Sequence, residues 1–405
     1  MFWPFIDWTS KKPPVKKQEV LPIHKPEKEI LVIGKAREQL FDHNNEPVLN
    51  EKGQVVYKDK FTLATGIAIS DYNSSGERYA ILAASGGGKS YLAGVLAERM
   101  LSANRIICYF DPEGEAFTLS EKYPIIIIGG EHSDKEFDVQ YLQSEEDKKL
   151  KTDLANQAFS YKEKMTYAKT LPKEERPFEE MAVNEEHNNA VKKIREDYEN
   201  KLKAFKDFVT DTVLTMLDKG ISLIWDFSGY SSPSDLDFVS HIIMETIFFL
   251  EITKKRKIVL FIDEAQTFAP QQKNDACQTL DSCMKIAKRG RKHGIDSVWI
   301  TQRIASLSKD ILTQCNIFLF GKIEAEQDFK KIEPYLNEAG ISFQNLKTLD
   351  VKDKTKTKGH FYIYSNSKTT LIRVNERVCT HGGGTPDFNL NAPVAKSKAE
   401  VLKGK

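Results

Sequence analysis

A glycine-rich segment that ends in Lys and Ser carries the strongest chemical signal in the sequence. Residues 84–90 read ASGGGKS, after an apolar stretch at 79–83 and before an amphipathic stretch that runs through Met100. Strand, glycine-rich loop and helix in this order predict a phosphate-binding loop, because its backbone N–H groups converge on phosphate oxygens at a helix N-terminus. Lys89 is expected to reach the β- and γ-phosphates, and the Ser90 hydroxyl to hold Mg²⁺. The predicted nucleotide-binding residues are Ser85, Gly86, Gly87, Gly88, Lys89, Ser90 and Tyr91.

One position of this loop departs from the usual spacing. Ala83 stands where GxxxxGK[ST] has its first glycine, the position that turns the strand. The alternative interpretation of the segment is a glycine-rich turn followed by a chance Lys-Ser pair. The predicted strand before the loop and the predicted helix after it favour nucleotide binding.

Two adjacent acids follow a second apolar stretch. Residues 258–262 are all apolar, and Asp263 and Glu264 come directly after them. Asp263 is expected to bind the Mg²⁺ shell through water, and Glu264 to orient and deprotonate an attacking water. Many strands end in acids for solubility alone, so the pair is only moderately specific by itself. Together with the phosphate-binding loop it indicates a hydrolase rather than a kinase.

Two other segments follow predicted strands. Gln302, in the TQR segment at 301–303, is expected at the carboxyl end of a strand, where ligands bind in open α/β sheets. It is a candidate sensor of the γ-phosphate, and a capping amide is the alternative. The acids of DPEGE at 111–115 either contact Mg²⁺-bound water or form an acidic turn.

The most basic turn of the predicted core reads KRGRKHG at 288–294. Basic side chains at a helix C-terminus are stabilised by its dipole, which gives a purely structural interpretation. The functional interpretation is an arginine finger offered to the γ-phosphate of a neighbouring subunit. Arg291 is the first candidate and Arg289 the second.

Short apolar stretches alternate with helical stretches from residue 78 onward, which predicts an α/β fold. Strands that are apolar on both faces and separated by helices are typical of a mainly parallel sheet covered on both sides. The predicted strands of this part are 79–83, 105–110, 125–128, 221–225, 258–262, 297–300 and 317–320.

The chain divides into five predicted regions. A Pro- and Lys-containing flexible tail covers residues 1–29, and a small β-rich region covers 30–77. The α/β core that carries the phosphate-binding loop is assigned to 78–140 and 211–390. Residues 141–210 are rich in Glu and Lys, with Pro breaks, and are interpreted as an inserted helical hairpin that is either a solvated appendage or a contact for DNA or a neighbouring subunit. A basic tail covers 391–405.

Composition places the 405-residue chain among soluble globular proteins, with 40% hydrophobic and 29% charged residues. Its 59 basic and 58 acidic residues give a net charge of +1, so any affinity for nucleic acid or membrane must come from a local patch. Five scattered cysteines without metal-ligand spacing indicate a reducing compartment. No apolar run is long enough for a transmembrane helix, and the cytoplasm is the predicted location.

Together these motifs resemble the HerA/FtsK family of P-loop ATPases over about residues 78–390, apart from the insertion. The resemblance rests on GGGKS at 86–90, DPEGE at 111–115, DEA at 263–265, GRK at 290–292, TQR at 301–303 and HGG at 381–383. Gln266 stands where HerA members often have His, and the N-terminal region is shorter than the usual HerA β-barrel.

The resemblance implies a RecA-like core, a homohexameric ring and ATP-driven translocation of double-stranded DNA, with ATP and Mg²⁺ as cofactors. It further implies that Lys89 and Ser90 bind ATP and Mg²⁺, that Asp263 and Glu264 carry out hydrolysis, and that Gln302 senses the γ-phosphate. Arg291 or Arg289 would act on the neighbouring subunit.

Two alternatives to a DNA motor remain open. One is a conjugative or secretion-type ATPase that moves protein or DNA at a membrane. The other is an ATP-dependent assembly platform for a nuclease or another effector.

Overall fold

The computed structural model of the protein describes residues 30–42, 44, 46–51, 55–68, 76–137, 140–271, 277–349, 359–365 and 367–382. The predicted tails at 1–29 and 391–405 lie outside these ranges, as does the end of the predicted core, 383–390. Within the described ranges eleven strands form one sheet, and helices surround it. The fold is therefore α/β, as the sequence predicts.

Seven neighbouring strands of the sheet are parallel, and four further strands extend one side of it in antiparallel fashion. The strand order is β2-β1-β11-β10-β9-β3-β8-β7-β4-β6-β5, and every neighbouring pair from β9 to β5 is parallel. The predicted mainly parallel sheet is confirmed. The strands are β1 (Ile30–Gln39), β2 (Tyr57–Ala68), β3 (Arg78–Leu82), β4 (Ile106–Asp111), β5 (Ile125–Ile128), β6 (Ser222–Asp226), β7 (Ile258–Ile262), β8 (Ile295–Thr301), β9 (Ile317–Phe320), β10 (His360–Ser365) and β11 (Lys368–Val374).

Helices connect the parallel strands and cover both faces of the sheet. They are α1 (Lys89–Ser102), α2 (Gln143–Ala168), α3 (Arg176–Asp218), α4 (Pro233–Lys254), α5 (Ala265–Phe268), α6 (Gln278–Arg289), α7 (Lys309–Leu312), α8 (Glu326–Ala339) and α9 (Phe343–Lys347). Short 3-10 turns cover Ala116–Glu121, Gly290–His293 and Ile304–Ser306. No helix within the described ranges combines the length and the apolar character that crossing a bilayer requires.

Two hydrophobic cores form because alternate residues of each strand point to opposite faces of the sheet. Tyr79 and Ile81 of β3 belong to the core that contains α1. Ala80 and Leu82 belong to the opposite core, which contains residues of α3, α4 and α6. All four side chains are at most 1% exposed. Burial on both faces explains why the strands are continuous apolar runs.

The predicted β-rich region at 30–77 joins the same sheet as the core. β1 pairs with β2 on one side and with β11 on the other, where Gly34 lies opposite Val374. β10 then pairs with β9, the outermost parallel strand. Residues far apart in the sequence thus build one antiparallel extension of the parallel sheet.

The predicted hairpin at 141–210 consists of α2 and α3, but α3 continues to Asp218. The predicted boundary at 210 therefore falls inside this helix. Its last turns pack into the core, where Val209 and Val213 are fully buried. The base of the hairpin is fixed to α4, since the backbone N–H of Ser144 donates to Asp235 at 2.6 Å. The hairpin therefore has a distal part away from the core and a root inside it.

Candidate nucleotide site

The glycine-rich loop lies between the end of β3 and the start of α1, at the edge of the sheet where the parallel strands end. Gly86 and Gly88 have φ values of 70° and 82°, which favour glycine strongly because L side chains are strained there. α1 begins at Lys89, directly after Gly88. Backbone N–H groups of the loop and the positive end of the α1 dipole are thus placed to bind an anion.

The departure at Ala83 is accommodated by a glycine on a neighbouring strand end. A Cβ atom added at Gly321 would lie 2.8 Å from the Cβ of Ala83, so the missing side chain of Gly321 leaves room for the alanine methyl group. Ala83 itself is fully buried. The loop therefore keeps its position without the usual first glycine.

Lys89 and Glu264 form an ion pair at this edge, with 2.7 Å between Nζ and Oε1. Their side chains are 12% and 7% exposed, so water screens the pair weakly. Burial by itself would lower the pKa of Lys89, but Asp263 and Glu264 outweigh that effect, and the pKa is raised. Lys89 is therefore held as a cation where the phosphates are predicted to bind.

Asp263 lies behind this pair and is 4% exposed. Its Oδ1 accepts from the backbone N–H of Glu264 at 2.8 Å, and its Oδ2 accepts from the Tyr109 hydroxyl at 3.3 Å. Burial raises the pKa of Asp263 to about 6, and Lys89 opposes that rise. A cation would stabilise the ionised carboxylate.

Ser90, Glu115 and Asp263 line one small cavity. Their hydroxyl and carboxylate oxygens are the ligand type that Mg²⁺ prefers, and protein sites of this ion commonly supply only one or two such oxygens beside phosphate and water. The residues present fit Mg²⁺, with Ser90 and Asp263 as the predicted ligands. Glu115 is an additional acid here, since it also raises the pKa of Lys89 and that of Asp263.

A chain of hydrogen bonds extends from Glu264 to the end of β8. Gln266 Nε2 donates to Glu264 Oε2 at 2.6 Å, and Gln266 Oε1 accepts from the Thr301 hydroxyl at 2.5 Å. The hydroxyl oxygen of Thr301 accepts in turn from the backbone N–H of Arg303 at 3.0 Å. Sequence reasoning missed this role of Gln266, although the replacement of the expected His marked the position.

Gln302 is half-buried and lies directly after β8, beside the phosphate-binding loop. The preceding Thr301 carbonyl accepts from the backbone N–H of Ala83 at 3.4 Å. The structure thus brings Gln302 to the same edge of the sheet as Lys89 and Glu264. Its sensor role stays a prediction.

Arg289 and Arg291 lie at the opposite edge of the sheet. Both are exposed, and β8 begins after them at Ile295 and runs for seven residues toward Gln302. At about 3.3 Å per residue, the strand separates the basic turn by about 20 Å from the edge of the sheet that carries the phosphate-binding loop, called the loop edge below. The Arg291 side chain packs over Gly76, where an added Cβ would lie 2.3 Å from its Cγ. The structure therefore does not bring either arginine to the nucleotide site of its own chain.

Residues 71–246 match the family model described as helicase HerA, central domain. The resemblance to HerA is confirmed. The match contains the phosphate-binding loop, the DPEGE turn and the α2–α3 hairpin, so this part of the chain is similar to the central domain of HerA. A curated relative, the DNA double-strand break repair helicase HerA of Pyrococcus furiosus, is 36% identical over 72 residues. That match spans 18% of this chain and 12% of the relative.

Three solved structures are similar to the chain at low sequence identity. The genome-packaging NTPase B204 of Sulfolobus turreted icosahedral virus 2, in complex with ATP-gammaS, is 14% identical, with a TM-score of 0.36 over 73% of this chain and 96% of that chain. The bacterial conjugative coupling protein TrwBdeltaN70 is 14% identical, with a TM-score of 0.44 over 77% and 88%. VirB4 of Thermoanaerobacter pseudethanolicus is 18% identical, with a TM-score of 0.42 over 74% and 89%.

Proposed function

We propose that the protein hydrolyses ATP with Mg²⁺ and uses the energy to translocate double-stranded DNA through a homohexameric ring. The contact between Lys89 and Glu264 carries the ATPase part of this proposal. It joins the cation of a phosphate-binding loop to an acid that can accept a proton from water, at the edge of the sheet where ligands of α/β proteins bind.

The residues of the site divide the chemistry among them. Loop N–H groups and Lys89 bind the phosphates. Ser90 and Asp263 would hold Mg²⁺, which would supply positive charge to neutralise the phosphoryl oxygens. Glu264 accepts the proton of the attacking water, and Gln266 orients its carboxylate. Gln302, beside the loop, detects the γ-phosphate.

The ring part of the proposal follows from the position of the basic turn. Arg289 and Arg291 are about 20 Å from the loop edge of their own chain, along β8. An arginine finger from this turn must therefore act on another subunit. The HerA resemblance favours a homohexamer, stimulation of hydrolysis by double-stranded DNA and helicase-like activity. Five free thiols favour a reducing compartment, which we take to be the cytoplasm.

An assembly platform for a nuclease or another effector is the second candidate, and the hairpin favours it. The Phe178 and Met181 side chains near the distal turn of the hairpin are 78% and 69% exposed, next to Glu179 and Glu180. An apolar patch beside acids suits a protein partner better than DNA, whose phosphates the acids would repel. A conjugative or secretion-type ATPase is the remaining alternative.

The stimulus for hydrolysis distinguishes the three functions. Phosphate release is measured with the full chain alone, with linear double-stranded DNA, with membrane vesicles and with a co-purifying protein. We expect only DNA to increase the rate, because a motor couples turnover to its track. Stimulation by vesicles with an envelope partner would support secretion instead. Slow turnover together with a tightly bound effector would support the assembly platform. In that case a Phe178→Ser/Met181→Ser variant should no longer bind the effector.

A further inference from the structure

The segment after β11 lies against the phosphate-binding helix and reaches the nucleotide site. This segment, residues 377–382, is called the strap below. Arg377 and His381 line the same cavity as Ser90 and Asp263. The HGG motif at 381–383 belongs to the family resemblance, but the sequence predicted no function for the strap.

A buried acid of α1 holds the strap. Glu98 is 0% exposed, and its carboxylate accepts from Arg377 Nε at 3.0 Å and from the backbone N–H groups of Val378 at 2.8 Å and Cys379 at 3.1 Å. A buried carboxylate with a cation and two backbone donors is fully engaged, and losing these donors would be costly. The start of the strap is therefore fixed to the helix that begins at Lys89.

The Arg377 side chain packs closely on α1. Its side chain is 5% exposed, and a Cβ atom added at Gly94 would lie 2.6 Å from its Cζ. Its Nη2 donates to the Thr118 hydroxyl at 3.2 Å, so it also bridges to the 3-10 turn that follows the DPEGE segment. Gly94 thus provides the space in which the guanidinium lies.

The strap then places His381 at the site. The His381 ring contacts the Tyr91 ring edge-on, with 5.5 Å between centroids, and the Tyr91 hydroxyl accepts from the backbone N–H of Arg377 at 3.0 Å. A Cβ atom added at Gly382 would lie 2.2 Å from the Glu115 carbonyl oxygen, so the strap backbone packs directly on the acidic turn. The His381 side chain is exposed and lines this cavity.

The protonation of His381 suits a hydrogen-bond donor. Its Nδ1 lies 3.5 Å from Arg377 Nη1, which can only donate, so Nδ1 is the acceptor and Nε2 carries the proton. Partial desolvation of the ring and the nearby Arg377 lower the pKa of the imidazole, against the opposing effect of Glu115. In this tautomer the ring donates from Nε2.

We propose that His381 donates a hydrogen bond from Nε2 to an oxygen of the bound triphosphate, and that Glu98 and Arg377 are positioning residues that hold it there. This inference rests on the proposed ATPase site and adds a residue to it. It assigns to the strap a direct part in binding the nucleotide, beside the loop and Lys89.

The test measures binding of ATP-gammaS with Mg²⁺ to the full chain by calorimetry. We expect His381→Ala to weaken binding about tenfold or more, since a hydrogen bond to a charged group is lost. His381→Gln should restore most of the affinity, because its amide nitrogen can take the place of Nε2. His187→Ala, in α3 and far from the loop, is the matched control. Wild-type affinity in His381→Ala would overturn the proposal.

Two variants test the positioning role. Gly94→Ala is favoured by helix propensity, so α1 itself is expected to stay folded. The proposal predicts weaker binding, because the added methyl displaces Arg377. In a double-mutant cycle, Glu98→Gln combined with His381→Ala should bind as weakly as His381→Ala alone, since Glu98 acts through His381. Additive losses would overturn the positioning role.

Lys89→Ala separates failure of this inference from failure of the proposed function. If Lys89→Ala binds ATP-gammaS like the wild type, the nucleotide site itself is wrongly assigned. If Lys89→Ala loses binding and His381→Ala keeps it, only the strap inference is wrong. Thermal unfolding of each variant shows whether a loss of binding reflects a loss of folding.

Discussion

Lys89 and Glu264 are joined by a contact of 2.7 Å although their elements are not neighbours in the sheet. Lys89 follows β3 and Glu264 follows β7, and β8 lies between these two strands. The pair therefore crosses the end of β8, where Thr301 and Gln302 are located. Because Gln266 connects Glu264 to Thr301, the cation, the proposed base and the end of β8 form one network.

Glu264→Gln should retain ATP binding and lose hydrolysis. The amide keeps the shape of the side chain but cannot accept the proton of water, and a general base contributes roughly 10²- to 10⁴-fold in rate. Affinity should be equal or greater, since a negative charge near the triphosphate is removed. Single-turnover hydrolysis and ATP-gammaS binding are the measurements, with Glu186→Gln in the hairpin as control. Turnover at the wild-type rate would show that another group is the base.

Gln266 variants test whether the network orients Glu264. Gln266→Leu should lower kcat about five- to tenfold with little change in ATP affinity, because each hydrogen bond contributes about 1 kcal/mol. Gln266→His should keep most of the activity, since a neutral imidazole can donate to Glu264 and accept from Thr301 at once. Steady-state kcat and KM are measured for both. An equal loss of kcat in the two variants would show that the hydrogen bonds of Gln266 do not determine the rate of hydrolysis.

The buried acids predict a fall in stability with rising pH. Burial raises the pKa of Asp263 to about 6 and that of Asp111 to about 7. A carboxyl whose pKa is higher in the folded than in the unfolded chain binds more protons when folded, so its contribution lowers the free energy of unfolding between about pH 4 and pH 7.

Asp263→Asn should therefore flatten this pH dependence and stabilise the protein at pH 8, by an amount on the order of 3 kcal/mol. Thermal unfolding in EDTA from pH 5 to pH 8 measures it, with Asp310→Asn on the surface as control. Parallel curves for Asp263→Asn and the wild type would contradict the assignment of the buried charge.

The basic turn should act between subunits. Arg291→Ala is expected to assemble and bind ATP but to hydrolyse it about 10³-fold or more slowly, as for loss of an arginine finger. Arg289→Ala identifies which arginine is the finger. Mixing Arg291→Ala with Glu264→Gln subunits should restore partial activity, because some interfaces then combine an intact Glu264 with an intact Arg291. A mixture that co-assembles and stays inactive would exclude the trans role.

Local motifs made much of the site predictable from sequence. The glycines before Lys89 and the acids after β7 are contiguous with their strands, so spacing alone places them at the carboxyl edge of the sheet. The link through Gln266 was not predictable in this way, because it depends on side-chain conformations on two different loops. The only sequence signal for this link was that Gln266 stands where HerA members often have His.

The antiparallel extension was the least predictable part of the fold. β10 and β11 were not predicted as strands, since Lys368, Thr369 and Thr370 interrupt an apolar pattern and the surrounding sequence is polar. β11 is stabilised by pairing with β1, more than 300 residues earlier. Such pairing depends on the whole sheet rather than on local propensity. The predicted end of the hairpin at 210 also differs from the structure, in which α3 ends at Asp218. The sequence has no helix-breaking residue at 210, so it gives no local signal of where the exposed part of α3 ends and its buried part begins.

Displacement of a third strand from double-stranded DNA tests the central claim most directly. A motor moving along a duplex removes a bound triplex-forming oligonucleotide, whereas a protein that only hydrolyses ATP leaves it in place. With Mg²⁺ and ATP, the wild-type protein is predicted to displace the oligonucleotide, and Lys89→Ala and Glu264→Gln are predicted not to. ATP hydrolysis by the wild type without any displacement, under conditions where it binds the duplex, would contradict translocation of double-stranded DNA.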